Sequence, residues 1–168
     1  YPNYKQDRYQ TTDPEAIRYD PLTKQLTWSS EGERVIKEKD TVLTDPSIRI
    51  MKPDGKFADS FLIPNNLRMQ AVEKGPRQNS VFEGLSYADN YRSLFISVEE
   101  PCFEDAPRAS ITEGKAYIRI LKYDIASKIN IAQYAYTLDP VAHLPDPATA
   151  FSVNGVSEIL FIKDDKLL

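Results

Sequence analysis

Cysteine and histidine are almost absent from this chain of 168 residues, which has one of each, Cys102 and His143. A single cysteine excludes an internal disulfide and a cysteine-rich zinc site, so we expect Cys102 to be a small buried residue. No apolar run is long enough to span a membrane. The net charge is −4 and no basic cluster is present, which argues against a nucleic-acid partner.

The chain also lacks the G-x-S-x-G motif of serine esterases. Ser86 follows Gly84-Leu85, but the surrounding alternation predicts a strand rather than a sharp turn. His143 is the only imidazole base, and it lies in the proline-rich segment VAHLPDP, where we expect an exposed loop residue. The sequence therefore directs attention to carboxylates rather than to a serine nucleophile.

Aromatic residues are abundant, with ten Tyr, seven Phe and one Trp, and they favour strands. Two segments resemble each other: EAIRYDPLTKQLTWSSE, which begins at Glu15, and EGLSYADNYRSLFISVE, which begins at Glu83. Each has Tyr at its fifth position, a turn-prone centre, and a second Glu sixteen positions after the first. A third, partial copy, EILFIKDDKLL, begins at Glu158. The repeat predicts hairpins in which one Glu begins the first strand and another follows the second strand.

Each of the first two copies is followed by another hairpin pattern, SIRIMKPDGKFADSFLIP and AYIRILKYDIASKINIAQYAYTLD. We therefore predict an all-β, β-propeller-like fold of repeated four-stranded antiparallel blades, as an incomplete portion of a larger propeller. The predicted blades cover residues 13–64 and 81–139, a partial third covers 156–168, and 1–12 form an extension or the end of a preceding blade. A sandwich of two irregular sheets and a short open array are the alternatives.

The glutamates at the hairpin ends are the candidate metal ligands. The start of the first strand and the end of the second lie at one end of a hairpin, so the two Glu of each copy share that end. Neighbouring carboxylates repel each other and need a compensating partner, and calcium suits clustered carboxylates. The predicted ligands are Glu15, Glu31, Glu83, Glu99 and Glu158. Alternatively, each Glu accepts backbone N–H groups of the next blade and holds the blades together.

Two long loops, 70–80 and 101–115, are predicted to lie on the same side as Glu83 and Glu99. Cationic residues on these loops or next to them are candidates for substrate binding, because Arg and Lys grip phosphate groups: Arg68, Lys74, Arg77 and Arg108. The alternative is that these side chains are merely solvated.

The segments NSVFEGLSYADNYRSLFISVEEP, YIRILKYDIASK, QYAYTLDP and NGVSEILFIKDDKLL, with DPEAIRYDPLTKQLTWSSEGE, resemble the bacterial domain family called "esterase-like activity of phytase". The resemblance implies a phytase-like propeller, a hydrolase, and an extracytoplasmic setting, either periplasmic, secreted or lipid-anchored at the cell surface. Two functions follow. One is a calcium-assisted hydrolase of small-molecule phosphoesters or esters. The other is a non-catalytic propeller that binds a ligand or a partner protein at its channel face.

Overall fold

The structure is a computed structural model that describes residues 13–111, 114–164 and 166–168. The described residues form twelve β-strands and one short 3-10 helix over Asn65–Leu67, which confirms the all-β prediction. Residues 1–12, predicted as an extension or the end of a preceding blade, lie outside the described residues. No helix in the described part of the chain is long and apolar enough to cross a membrane.

The first sheet has four antiparallel strands in the order β1-β2-β5-β6. They are β1 (Pro14–Asp20), β2 (Gln25–Ser30), β5 (Ser47–Met51) and β6 (Phe57–Ser60). Between β2 and β5 the chain makes a separate small hairpin, β3 (Glu33–Val35) with β4 (Val42–Thr44), which the sequence patterns did not predict. The repeated hairpin β1–β2 therefore forms one half of this sheet, and the β5–β6 hairpin forms the other.

The second sheet repeats this plan in the order β7-β8-β9-β10. Its strands are β7 (Phe82–Ala88), β8 (Ser93–Val98), β9 (Tyr117–Asp124) and β10 (Ile129–Thr137). Every residue of β8 is buried, because one core cluster covers one face of the sheet and a second cluster covers the other. The aromatic alternation in QYAYT is part of a strand, as predicted.

The third copy forms only a two-stranded hairpin, β11 (Phe161–Lys163) with β12 (Lys166–Leu167). Ile159, Phe161 and Leu167 pack against the second sheet through the cluster that contains Phe95 and Ile118. The hairpin is thus attached to the opposite face of the second sheet from the one that meets the first sheet.

The first strands of the three units are neighbours in series, because β1 contacts β7 and β7 contacts β11. The main core lies between the two large sheets and includes Ile48, Phe82, Leu85 and Tyr123. This order is the one that consecutive propeller blades would adopt. The described residues form no closed ring of sheets, so the four-stranded antiparallel units are confirmed and the propeller arrangement stays a prediction.

Candidate functional site

The same β-bulge occurs at the start of both repeated hairpins. In the first sheet Pro14 pairs with Ser30 and Ile17 with Trp28, so Glu15 and Ala16 together face one residue, Ser29. A bulge of this kind bends the strand and re-aims the side chain that it carries. The bulge thus sets the direction in which Glu15 leaves the sheet.

The second sheet has the equivalent bulge at Glu83 and Gly84, opposite Ser97. In each sheet a buried serine hydroxyl accepts the N–H of the second bulge residue. The N–H of Ala16 donates to Oγ of Ser29 at 3.1 Å, and the N–H of Gly84 donates to Oγ of Ser97 at 3.0 Å. No sequence pattern singled out these serines, although both lie fourteen positions after the first Glu of their copy.

Glu31 links the two sheets. It follows β2, and its backbone N–H donates to the carbonyl of Asp13 at 3.0 Å, which closes the end of the β1–β2 hairpin. Its side chain is 1% exposed and crosses to the second sheet, where Oε1 accepts the backbone N–H of Val81. The N–H of Glu99 in turn donates to the carbonyl of Val81 at 2.7 Å. The ends of both hairpins therefore meet around Val81.

Three carboxylates from the two sheets converge at this point. One carboxylate oxygen from each of Glu31, Glu83 and Glu99 lies within 4.8 Å of the other two, and we call these residues the inner cluster. Calcium binds oxygen at about 2.3–2.6 Å, so oxygens on opposite sides of one ion are about 5 Å apart. The inner cluster could therefore hold a metal ion, and oxygen ligands of this kind suit calcium.

The second oxygen of Glu31, Oε2, is buried and has no hydrogen-bond partner among the described residues. A buried carboxylate oxygen without a partner is costly, and it calls for either a proton or a cation. This orphaned atom is the structural observation that separates the inner cluster from an ordinary group of surface acids. The residues present therefore fit a bound divalent cation.

The electrostatics of the inner cluster favour the protonated state when no cation is bound. Burial, followed by the charges of Glu83, Glu15 and Glu99, raises the pKa of Glu31 to about 8, against the lowering effect of the Val81 N–H. Burial, followed by the charges of Glu15 and Glu99, raises the pKa of Glu83 to about 7. Burial and the adjacent Glu100 also raise the pKa of Glu99. Protonation of Glu31 and Glu83 near neutral pH would relieve the repulsion between these carboxylates when no cation is bound.

A second group of carboxylates shares Glu31 with the first. Oxygens of Asp13, Glu15 and Glu31 lie within 4.8 Å of one another, and we call these residues the outer cluster, because Glu15 is exposed. Burial, then the charge of Asp13 and a hydrogen bond with it, raise the pKa of Glu15. The repeat did not single out Asp13, since Val81 occupies the equivalent place in the second copy.

Glu158, the fifth predicted ligand, lies outside both clusters. Its half-exposed carboxylate forms an ion pair with Arg18 instead, although its charge still contributes to raising the pKa of Glu83. The backbone of Glu158 and Ile159 lies directly against Gly84. A Cβ added to Gly84 would lie 2.5 Å from the backbone nitrogen of Ile159. The absence of a side chain at Gly84 therefore lets the third unit approach the bulge.

The four cationic candidates are not all brought together. Burial, followed by the charge of the nearby Arg108, lowers the pKa of Arg77. Arg77 donates to the carbonyls of Pro101 and Ala106 at 2.9 and 3.1 Å, so its guanidinium holds the two long loops together. Arg108 pairs with the buried Glu100 at 2.7 Å, next to Glu99.

Arg68 and Lys74 are exposed. Arg68 lies 3.4 Å from Asp45. The ends of the two long loops that join the hairpin do lie beside Glu83 and Glu99, as the hairpin geometry predicted, because the backbone N–H of Glu100 donates to the carbonyl of Ser80. Of the four cationic candidates, Arg108 is the one whose charge acts on a carboxylate of the inner cluster, because it opposes the rise in the pKa of Glu99.

Gly155, in the segment that precedes the third unit, packs closely against Glu99. A Cβ at Gly155 would lie 2.8 Å from Cγ of Glu99 and 3.0 Å from its carbonyl oxygen. The next residue, Val156, donates its N–H to that carbonyl at 3.1 Å. The position of the Glu99 side chain therefore depends on the third unit as well as on β8.

The remaining nucleophile candidates have structural surroundings. The Ser86 hydroxyl accepts the N–H of Phe161 at 2.8 Å and lies on a strand, as predicted. Cys102 is buried, and burial raises the pKa of its thiol to about 12. His143 is exposed on a loop. Among the described residues these groups form no arrangement of nucleophile and base.

The family described as "Phytase-like: Esterase-like activity of phytase" matches residues 2–168, which is nearly the whole chain. The chain therefore belongs to this family, as its motifs indicated. No curated protein and no solved structure matches the chain. The family suggests a hydrolase-like or phytase-like activity.

Proposed function

We propose that this member of the phytase-like family is a calcium-assisted hydrolase of small-molecule phosphoesters or esters, and that the inner cluster holds the cation. The observation that carries the proposal is the buried, unpartnered Oε2 of Glu31 beside the carboxylates of Glu83 and Glu99. Bound calcium would supply a positive charge that polarises the ester or phosphoester group.

The chain's own residues prepare the site for this charge. The Val81 N–H anchors one oxygen of Glu31 and leaves the other free, which orients the carboxylate without occupying it. The bulge supports Glu83, and the backbone of Gly155 supports Glu99. Ligands held by the backbone in this way are already placed before the cation arrives, so less ordering is required on binding.

Substrate recognition is proposed to involve the rim formed by the two long loops. The side chain of Arg108 is 36% exposed and lies next to Glu99, so its guanidinium is the best placed of the predicted cations to contact a phosphoryl or carboxylate oxygen. Arg68 and Lys74 would contribute positive charge from farther along the rim, and Arg77 would keep the loops in place. Because the chain's net charge is −4, attraction of an anionic substrate depends on the bound cation and these residues.

An extracytoplasmic location belongs to the same proposal. Calcium sites of extracellular modules bind with dissociation constants of about 10⁻⁴–10⁻³ M, which the calcium concentration outside cells can fill. A site whose carboxylates compete with protons near neutral pH is suited to such a calcium-rich compartment. Fractionation of the producing cells, with the protein detected by antibody, would test the location.

The direct test is hydrolysis with and without calcium. Phosphate release from phytate and cleavage of a chromogenic ester are measured on the intact protein in calcium and in chelator. We expect activity in calcium only, and at least a roughly tenfold loss in Glu83→Gln. Asp54→Asn is the matched control, because Asp54 is an exposed acid in the β5–β6 turn, at the opposite end of the first sheet from Glu31. Activity that chelator does not change would contradict the proposal.

A non-catalytic binding function is the second candidate, and the Glu31–Val81 hydrogen bond favours it. That bond connects the two sheets, so a cation at the inner cluster would also stabilise their packing. Under this hypothesis calcium raises the melting temperature and neither substrate is hydrolysed. The ligand or partner protein would then bind at the surface next to the clusters.

A further inference from the structure

We infer that strand β10, the outer edge of the second sheet, binds a second copy of this chain. The two β10 strands pair antiparallel about a twofold axis at Ala135. The inference goes beyond the proposed function, because β10 lies at the opposite edge of the sheet from β7, the strand that carries Glu83. It starts from the composition and exposure of β10.

Strand β10 lacks the features with which edge strands usually resist pairing. It is the longest of the described strands, with nine residues, and its sequence INIAQYAYT contains no charged residue, no Pro and no Gly. A bulge at Ile131 interrupts its start, but residues 132–137 pair with β9 without a register shift. Natural edge strands are usually short, charged or bulged, since unpaired backbone groups are a template for another strand. This stretch is therefore open to pairing.

The corresponding edge of the first sheet is protected. Its outer strand, β6, has only four residues, carries Asp59, and has a register shift between its pairs with Ile50 and Met51. Asp59 also forms an ion pair with Lys128 at 3.0 Å. The two sheets share one plan, so the open edge is a property of β10 and not of the repeated unit.

The hydrogen bonds to β9 show which backbone groups of β10 point outward. The N–H of Leu138, just after the strand, donates to the carbonyl of Ala116 at 2.8 Å, so Leu138 directs its backbone groups toward β9. In an antiparallel ladder every second residue does the same. The backbone groups of Gln133, Ala135 and Thr137 therefore point to the free edge.

These outward groups are self-complementary about Ala135. When two copies pair there, Ala135 faces Ala135 of the second copy and Gln133 faces Thr137 of the second copy, and each facing pair exchanges both of its N–H···O bonds. Tyr134 then lies opposite Tyr136 of the second copy in a non-hydrogen-bonded pair, where side chains are closest. These tyrosines are 50% and 48% exposed, and aromatic cross-strand pairs stabilise a sheet.

The absence of charge on β10 favours a second copy as the occupant. A twofold interface places the same surface patch of each copy against the other, so a charge near the axis meets its own like charge. The largest polar side chain at the edge, Gln133, already has partners within the chain, since Oε1 accepts from Arg119 at 2.9 Å and from Asn66 at 3.0 Å. The pairing line therefore carries nothing that a second copy would repel.

The test is sedimentation velocity on the intact protein in calcium, over a range of micromolar concentrations. Wild type should form a dimer as its concentration rises. Ala135→Lys and Ala135→Glu each place like charges opposite each other, so each should weaken dimerisation at least about tenfold. An equimolar mixture of the two variants should restore the dimer, because Lys then faces Glu. Ser60→Lys, at an exposed position of β6, is the matched control and should dimerise as wild type does.

Far-ultraviolet circular dichroism checks that each variant is folded. Wild type that stays monomeric at every concentration overturns the inference and leaves β10 to a strand of a different protein. A dimer that both Ala135 variants retain also overturns it, because the copies then meet elsewhere. Variants that dissociate and are not restored by mixing overturn the twofold pairing at Ala135. None of these outcomes depends on hydrolysis, so the inference and the proposed function fail separately.

Discussion

The carboxylate of Glu31, from the first sheet, accepts the backbone N–H of Val81 at the entrance to the second sheet. The same carboxylate keeps a second oxygen buried and without a partner, next to Glu83 and Glu99. One residue thus combines a structural contact between sheets with an open position for a ligand.

In calcium-free protein, stability should fall as the pH rises from about 4.5 to about 8. The pKa values of Glu31 and Glu83 are raised from 4.5 to about 8 and about 7, so the folded protein keeps protons that the unfolded chain has released. Where the unfolded state binds fewer protons, the free energy of unfolding decreases with pH. Urea denaturation in chelator over this range measures the slope. Glu31→Gln should make the fall in unfolding free energy with pH less steep. Identical slopes in wild type and Glu31→Gln would contradict the raised pKa of Glu31.

Glu31→Gln and Glu31→Ala should differ in stability. Glutamine can still accept the Val81 N–H and places an NH₂ donor near Glu83 and Glu99, which relieves repulsion. We expect its calcium-free melting temperature at pH 8 to equal or exceed that of wild type, with no response to calcium. Alanine leaves the buried N–H unpaired and should cost about 1–3 kcal/mol. Equal melting temperatures for the two variants would rule out a role for the Val81 contact.

Glu83→Gln keeps the size of the side chain and removes its charge. If Glu83 is a ligand, the rise in melting temperature that calcium causes should shrink, because a cation that binds only the folded state stabilises it less when its affinity is lower. Melting is measured for wild type, Glu83→Gln and Asp54→Asn, each with calcium and with chelator. Equal calcium shifts in wild type and Glu83→Gln would exclude Glu83 as a ligand.

Ser97→Ala should destabilise the protein by about 1–3 kcal/mol, because the Gly84 N–H in the bulge loses its buried acceptor. Since the bulge directs Glu83, calcium affinity should fall as well. Ser29→Ala is the matched variant in the first sheet, where the N–H of Ala16 loses its acceptor and the outer cluster is affected instead. A Ser97→Ala protein with unchanged stability and affinity would mean that the bulge does not need the hydroxyl.

Gly155→Ala should weaken calcium binding through Glu99. The added Cβ would lie 2.8 Å from Cγ of Glu99, so the glutamate side chain or the Gly155 segment must move. A double-mutant cycle with Glu99→Gln tests the mechanism, because the effect of Gly155→Ala should be smaller when the ligand is already lost. Additive losses would show that Gly155 acts elsewhere.

The hairpins, and the pair of glutamates at the open end of each, were predictable from the sequence, because strand alternation and turn residues are local properties of the chain. The spacing of sixteen between Glu15 and Glu31, and between Glu83 and Glu99, places each pair at one end of its hairpin without reference to the rest of the fold. The small β3–β4 hairpin was missed, since three-residue strands carry too little pattern to be recognised.

Only the tertiary structure decided which carboxylates converge. The bulges at Glu15 and Glu83 shift the register by one residue, and in a strand such a shift moves a side chain to the other face. Packing of the two sheets then places the carboxylate of Glu31 against the N–H of Val81 and Asp13 beside Glu15 and Glu31. Glu158 lies outside the clusters and pairs with Arg18. These contacts join residues far apart in the chain, and their distances depend on how whole sheets pack, which no local pattern of residues records.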